Sequence, residues 1–136
     1  MDKKLFNKVV HFEIHAGDPE RAAKFYTGVF GWDIKKWEGG AMEYWLVMTC
    51  PENTPGGING GILRRKGPAP ATDCAVSGYV CSMNVEDIDV TMKKVMSSGG
   101  GVALPKFELA GVGFLAYFKD TEGNIFGIWQ EAQKSA

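Results

Sequence analysis

The sequence contains an internal repeat, and this repeat restricts the fold more than any other feature. Two segments, VHFEIHAGDPERAAKFYTGVFGW and YVCSMNVEDIDVTMKKVMSSGG, each show the pattern of a strand, a capped amphipathic helix and a glycine stop. The aspartates that begin the two helices, Asp18 and Asp87, lie 69 residues apart, and so do the glycines that end them, Gly31 and Gly100. Because a repeated unit of this size buries its apolar face only against its twin, the sequence predicts one domain made of two similar halves.

The first segment begins with a strand in which polar and apolar side chains alternate. Phe12 and Ile14 face one side, whereas His11, Glu13 and His15 face the other. A polar strand face needs water, protein partners or a ligand. The alternation therefore marks the side of the strand that carries His11 as a candidate for function.

The helix after this strand has clear start and stop signals. Asp18 supplies an N-cap carboxylate, Pro19 suits the first helical turn, and Gly31 can adopt the left-handed conformation of a C-cap. Between these signals the apolar side chains recur at steps of three and four residues: Ala22, Phe25, Tyr26, Val29 and Phe30. This periodicity predicts a helix that packs one side on a sheet and ends by Phe30.

Further signals complete two βαβββ modules. The pattern predicts strands at residues 9–14, 32–37, 43–49 and 61–65, then at 78–84, 101–104, 113–119 and 124–130, with the second helix at 87–98 and a turn at 120–123. We assign residues 6–66 to the first module, 67–76 to a proline-containing linker and 77–131 to the second module. The predicted fold class is α+β, with both modules together forming a curved mixed sheet around a shared cavity.

Composition excludes several classes of protein. The 136 residues carry 15 basic and 16 acidic side chains, a balance that argues against a nucleic-acid partner. No segment approaches the roughly 18 apolar residues of a membrane span, and the N-terminus lacks the apolar core of a signal peptide, so we expect a cytoplasmic protein with no membrane partner. Cys50, Cys74 and Cys81 lack CxxC spacing, and we expect reduced, buried thiols.

Three segments, HFEIHAGDPERAAKFYTGVFGW, GGILRR and GVGFLAYFKDTEGNIFGIWQ, resemble the vicinal oxygen chelate superfamily, which includes glyoxalase I, extradiol dioxygenases and bleomycin resistance proteins. In metal-dependent members, the first and last strands of each module each supply one ligand. The resemblance places His11 and Gly61 at these positions in the first module, and Val80 and Gly127 in the second. Only His11 can donate through its side chain, so no cofactor is expected. A divalent metal held in part by His11 is the less favoured alternative.

The candidate site combines a polar pair with aromatic side chains. His11 and Glu13 share a strand face and could act as a general base pair, although Glu13 could instead form an ion pair with a neighbouring Lys or Arg. In adjacent pairs such as Tyr44 and Trp45, one ring faces the cavity and the other packs under a helix, and strand parity leaves the choice open. The predicted ligand-binding residues are His11, Glu13, Trp45, Phe107, Phe114 and Tyr117.

Three functions fit these observations. The leading hypothesis is a metal-free protein that binds a small, partly apolar molecule in an aromatic-lined cavity that contains His11. If the protein is an enzyme, the resemblance implies a glyoxalase-like lyase or isomerase, or a dioxygenase, that uses a metal. The third is a non-catalytic interaction module whose cavity is filled by its own side chains. Because members of this superfamily commonly dimerise, the resemblance also implies a homodimer.

Overall fold

The computed structural model describes residues 6–71 and 79–132, which form two βαβββ modules. The first comprises β1 (His11–Ala16), α1 (Pro19–Phe30), β2 (Asp33–Lys36), β3 (Trp45–Met48) and β4 (Asn59–Arg64). The second comprises β5 (Ser82–Asn84), α2 (Ile88–Ser97), β6 (Gly101–Leu109), β7 (Gly113–Lys119) and β8 (Ile125–Glu131). The predicted α+β class and the duplicated element order are confirmed.

Each module contributes one four-stranded mixed sheet. The strand orders are β1-β4-β3-β2 and β5-β8-β7-β6, so β1 and β5 are edge strands. In the first sheet Glu13 lies opposite Gly61, and in the second Ser82 lies opposite Gly127. Because Glu13 and Ser82 are also 69 residues apart, the spacing of the helix caps extends to the strands.

Helix α1 begins and ends where its signals predict. The carboxylate of Asp18 accepts a hydrogen bond from the backbone N–H of Arg21 at 3.1 Å. At the other end Gly31 has a φ of 72° and donates its N–H to the carbonyl of Thr27 at 2.9 Å. Capping by an aspartate and a left-handed glycine satisfies backbone groups that the helix cannot pair internally.

Helix α2 ends differently from the prediction. Asp87 caps its first turn, but the left-handed residue at its end is Gly99, with a φ of 96°, and not Gly100. Gly100 is required for space, because a Cβ there would lie 2.6 Å from Val95 Cγ1 and 2.8 Å from the carbonyl oxygen of Lys119. The two glycines of this stop therefore have separate roles, one in backbone conformation and one in packing.

Strand β6 is longer than predicted. The expected strand at residues 101–104 continues to Leu109, although Pro105 has no N–H to donate. The pairing of β6 with β7 shifts register between Val102 and Leu104 and again between Leu104 and Phe107. β6 is an edge strand, and a proline at an irregular position of an edge strand disrupts few ladder hydrogen bonds.

The two modules share one hydrophobic core. Phe25 and Tyr26 of α1 pack on Phe126 of β8, with ring centroids 5.9 and 6.0 Å apart. Helices α1 and α2 also contact each other. The fully buried members come from both modules and include Ala16, Ala22, Ile62, Ala116, Phe118 and Ile128. Since burial of apolar area is the main stabilising contribution, the two modules stabilise each other.

Polar contacts join α1 to the turn between β7 and β8. Arg21 donates from Nε and Nη2 to the Glu122 carboxylate at 2.7 and 3.0 Å, and the Asp18 N–H donates to the same group at 2.9 Å. The Tyr26 hydroxyl donates to Asp120 Oδ2 at 2.6 Å. Asp120 and Glu122 are both 4% exposed, so these buried carboxylates depend on their partners.

The pKa values of the two carboxyls move in opposite directions. Burial raises the pKa of Asp120, and the hydrogen bonds from Tyr26 and from backbone N–H groups offset only part of that rise. Burial also opposes ionisation of Glu122, but hydrogen bonds from Arg21, the Asp18 N–H and Thr121 outweigh it and lower the pKa of Glu122. The Arg21 guanidinium therefore holds Glu122 as the anion.

The structure also bears on the expectations about membrane spans, cysteines and the linker. Of the helices in the described ranges, none is long and apolar enough to span a membrane. Cys50 and Cys81 are free thiols, but neither is fully buried as expected: Cys50 is half-buried, and Cys81 is exposed because it precedes the edge strand β5. Cys74 and residues 72–76 of the predicted linker lie outside the described residues, and residues 67–71 contain neither helix nor strand.

Candidate functional site

Strand β1 divides its side chains between two environments, as the alternation predicts. Phe12 and Ile14 are half-buried and pack against the core. His11, Glu13 and His15 are exposed on the opposite side. We call the side that carries these three residues the open face of the first sheet.

Tyr44 joins this polar group from the residue before β3. Its hydroxyl lies 2.9 Å from Nε2 of His11. Burial, followed by the negative charge of Glu13, raises the pKa of Tyr44, so the phenol is protonated at neutral pH. The open face therefore presents a neutral phenol paired with an imidazole.

Among the described residues, the charged contact of Glu13 is with a histidine and not with a Lys or Arg. Its Oε1 lies 3.5 Å from His15 Nε2, a long contact between two side chains that are each about half exposed. The cation on the neighbouring strand, Arg64, pairs instead with Glu43 at 2.8 Å. The ion pair that the sequence suggested as a structural role for Glu13 is therefore formed by Glu43.

Gly61 lies beside Glu13 in the sheet, directly under the Tyr44 ring. The ring occupies the space that a side chain at position 61 would need, because a Cβ built there would overlap the Cζ and hydroxyl oxygen of Tyr44. Gly61 is buried although it belongs to the open face. The glycine is therefore required by close approach of a neighbouring ring.

The second module has a similar arrangement with different chemistry. Ser82 pairs with Gly127, and a Cβ at Gly127 would overlap the Ser82 hydroxyl and lie 3.2 Å from Tyr117 Cε1. Val80 occupies the position equivalent to His11. Neighbouring side chains thus cover the last-strand glycine in both modules, but only the first module has an imidazole beside it.

The residues at the four implied ligand positions do not fit a metal centre. His11 is the one side-chain donor among them, and Gly61, Val80 and Gly127 offer none. Within the described ranges, no three His, Cys, Asp or Glu side chains are grouped so that they could hold a metal ion. The metal centre that the resemblance implies takes four side-chain donors, and affinity for a divalent metal rises with the number of ligands, so the donor set here is insufficient.

A cleft of about 1240 Å³ lies between the modules, and we call it the inter-module cleft. The edge strands β1 and β5 both border it, together with the end of α1 and the loop between β3 and β4. Its aromatic lining comes from both modules: the partly or fully exposed rings of Phe12, Phe30, Tyr79 and Trp129, and the buried rings of Tyr26, Trp32 and Phe126. The described residues thus confirm a cavity shared by the two halves.

The polar pair of the predicted site is divided between two places. Glu13 borders the inter-module cleft, whereas His11 lies outside its lining and contacts Tyr44. Trp45 is 3% exposed, and its indole N–H donates to Glu20 of α1 at 2.8 Å. The prediction that Trp45 faces the cavity is therefore wrong, and Tyr44 is the member of the pair on the open face.

The other three predicted aromatic residues do not border the cleft either. Tyr117 lies opposite Gly127. Phe107 lies opposite Leu115, and its side chain is on the same face of the second sheet as that of Tyr117. Phe114 lies on the core side, where the Lys106 ammonium is 4.8 Å from its ring centroid. Strand parity separates two faces but does not say which face meets a helix, and this accounts for the error.

Trp32 and Trp129 border the cleft but were not among the predicted site residues. Trp129 follows Gly127 by two positions in β8 and so lies on the same face of the strand. The alternation of side chains along the strand could therefore have predicted its position. Trp32 follows the α1 stop at Gly31, and its position depends on packing against α1. The sequence has no local signal for that packing.

Comparison with known proteins finds similar sequences. The profile of a family described as "Bleomycin resistance protein-like N-terminal" matches residues 8–44. The "Glyoxylase-like domain-containing protein" of Didymella fabae is 30% identical over 135 residues, covering 91% of this chain and 94% of that protein. The "Putative glyoxylase CFP32" of Mycobacterium tuberculosis is 28% identical over 122 residues, covering 87% of this chain and 43% of that protein. This chain thus spans less than half the length of the mycobacterial relative.

Solved structures show the same fold. The glyoxylase/bleomycin resistance protein/dioxygenase domain from Frankia sp. EAN1pec superposes with a TM-score of 0.67 at 19% sequence identity, covering 93% of this chain and 99% of that one. The fosfomycin resistance protein FosX from Mesorhizobium loti superposes with a TM-score of 0.65 at 17% identity, covering 93% and 94%. At these identities the similarity concerns the architecture.

Proposed function

This chain belongs to the vicinal oxygen chelate superfamily, and we propose that it binds a small, partly apolar molecule in the inter-module cleft without a bound metal ion. The observation that carries the proposal is the aromatic lining that both modules contribute to one cleft. Ligand sites are typically concave, mostly apolar and provided with a few polar groups that orient the ligand. The cleft has each of these properties.

The aromatic wall of the cleft is preorganised. Tyr26 and Trp32 stack with ring centroids 5.0 Å apart and an interplanar angle of 5°, and Phe30 stacks on Trp32 at 5.3 Å. Tyr26 is also held by its hydrogen bond to Asp120. Tyr26 and Trp32 are themselves buried, and they support the partly exposed ring of Phe30. A ring that is already ordered loses little conformational entropy when a ligand docks, which favours binding of a flat, apolar group.

The polar lining complements this wall. Glu13 and His15 of β1 and Ser82 and Asn84 of β5 border the same cleft, and all four are exposed. Lys119 at the end of β7 also borders the cleft. At the β1 edge, a carboxylate flanked by hydrogen-bonding groups favours a ligand that presents an amine or several N–H or O–H donors there. We propose a ligand with a planar aromatic body and a donor-rich or cationic edge.

The test uses pairs of aromatic probes that differ in charge. Tryptamine and 2-naphthylmethylamine are compared with indole-3-acetate and 2-naphthoate by thermal shift and by isothermal titration calorimetry. Binding stabilises the native state by mass action, so the two amines should raise Tm and the two carboxylates should raise it less. Trp129→Ala should weaken amine binding by about tenfold or more, since loss of an aromatic contact commonly costs over 1 kcal/mol.

Matched variants distinguish a specific site from general adhesion. Trp37 is 41% exposed and lies outside the lining, so Trp37→Ala should leave the Tm shift unchanged. Glu13→Gln should reduce the preference for amines over carboxylates. The proposal is wrong if none of the four probes shifts Tm at millimolar concentration, or if Trp37→Ala and Trp129→Ala weaken binding equally.

A further inference from the structure

We infer that Tyr44 closes the metal position of the first module and holds His11 as the hydrogen-bond partner of a phenol instead of a metal ligand. The superfamily resemblance implies a metal ligand on the last strand of the module, where this chain has Gly61. The Tyr44 ring occupies the volume that such a side chain would need. The Tyr44 ring can therefore lie where it does only because position 61 has no side chain.

Two contacts of Tyr44 support this inference. Its hydroxyl is 2.9 Å from His11 Nε2, the imidazole that would otherwise be available to a cation. Its ring buries Gly61 on a face where the neighbouring β1 side chains are exposed. A metal ion beside His11 would therefore have to displace the phenol, and it would find no second side-chain donor at Gly61 of β4.

The first module retains part of a ligand set beneath this closure. Glu13 pairs with Gly61 across β1 and β4, so a carboxylate introduced at position 61 would lie on the same face as Glu13 and His11. The second module has Val80 and Ser82 at the equivalent β5 positions. The inference therefore predicts that metal binding can be restored in the first module by changing only Tyr44 and Gly61.

The test is titration of tag-free protein with Ni²⁺ and Mn²⁺ by calorimetry. The double variant Tyr44→Ala/Gly61→Glu should bind one equivalent at least about 100-fold more tightly than the natural chain, because affinity rises with the number and charge of the ligands. Adding His11→Ala to the double variant should abolish the gain. Tyr44→Ala/Gly61→Gln, which has the same size without the charge, should show less than a tenth of it.

A stability cycle tests the closure even if the double variant folds poorly. Gly61→Ala in the natural chain should lower Tm by about 5 °C, because overpacking against the ring is costly. In a Tyr44→Ala background the same change should have little effect. Equal losses in both backgrounds would contradict the closure.

Metal binding by the natural chain is the other decisive outcome. If it binds one equivalent of Ni²⁺ or Mn²⁺ as tightly as the double variant, and His11→Ala removes that binding, the inference is overturned. These measurements involve no aromatic probe, so a negative result here does not bear on the proposed ligand site in the inter-module cleft.

Discussion

The two modules share an element order and a strand register, yet their helices have unequal roles. Helix α1 places the rings of Phe25 and Tyr26 in the common core and reaches the second module through Phe126. Helix α2 contributes smaller side chains, of which Ile88 and Val95 are fully buried. Duplication therefore produced two similar scaffolds, and the aromatic residues of one helix join them.

The open faces of the two sheets also differ. In the first, the Tyr44 phenol covers Gly61 and pairs with His11. In the second, Ser82 and Tyr117 crowd Gly127 beside the aliphatic Val80. The same backbone can thus lack a side-chain donor at the last-strand position in two chemically different surroundings, one with an imidazole and a carboxylate on the neighbouring edge strand and one with a hydroxyl and an aliphatic side chain.

The largest expected effect compares a buried side chain of each helix. Phe25→Ala should lower the free energy of unfolding by about 3–5 kcal/mol, since it removes a ring that packs in both modules. Val95→Ala, at a site of equal burial in α2, should cost about 2 kcal/mol from loss of two methyl groups. Urea unfolding at one pH measures both. Equal losses would show that α1 has no special role in joining the modules.

A smaller effect concerns the polar contacts between α1 and the second module. Tyr26→Phe removes the hydroxyl that donates to buried Asp120 and should cost about 1–3 kcal/mol, because the acceptor stays buried without that partner. The counterpart in α2 is Thr91, whose hydroxyl donates to Asp87 O within its own helix at 3.1 Å. Thr91→Val should cost about 1 kcal/mol or less. The contrast disappears if both changes lower the unfolding midpoint equally.

The smallest effect depends on pH. The pKa of Glu122 is lowered in the folded protein, so its contribution to stability is present above the unfolded value of 4.5 and is lost as pH falls through the folded pKa. The raised pKa of Asp120 acts in the opposite sense, because the folded state keeps that proton as pH rises above 3.8. The stability difference between the natural chain and Glu122→Gln should therefore shrink as pH falls from 6 to 3.

Urea titrations across that range provide the measurement, with Glu52→Gln as the control at an exposed loop position. The control should differ from the natural chain by a nearly constant amount. A Glu122→Gln difference that stays constant below pH 4.5 would show that Arg21 does not lower the pKa of this carboxyl.

Local signals predicted the parts of the fold that depend on neighbours along the chain. The N-cap carboxylates of Asp18 and Asp87, the left-handed Gly31 and the alternation along β1 all act within a few residues, so spacing alone indicates them. The extension of β6 past Pro105 could not be predicted in this way. Its pairing depends on the partner strand β7 and on the position of β6 at the edge of the sheet.

In the candidate site, too, local spacing predicted some features, and contacts between distant elements decided the others. Parity placed His11 and Glu13 together on one strand face, and the structure confirms that placement. Parity could not choose between Tyr44 and Trp45, because either face of β3 could have been the one under α1. The indole of Trp45 lies on the helix side, where it donates to Glu20, and this contact between distant elements decides the matter.

By itself, the sequence determined the duplicated modules, the ends of α1, the alternation of β1 and the lack of side-chain donors at three of the four implied metal positions. These depend on residue type and short-range spacing, which the chain carries locally. Only the tertiary structure decided which aromatic rings border the inter-module cleft and what fills the space above Gly61. Both depend on the packing of side chains that are far apart in the chain, and that packing depends on volume and direction, which residue spacing does not encode.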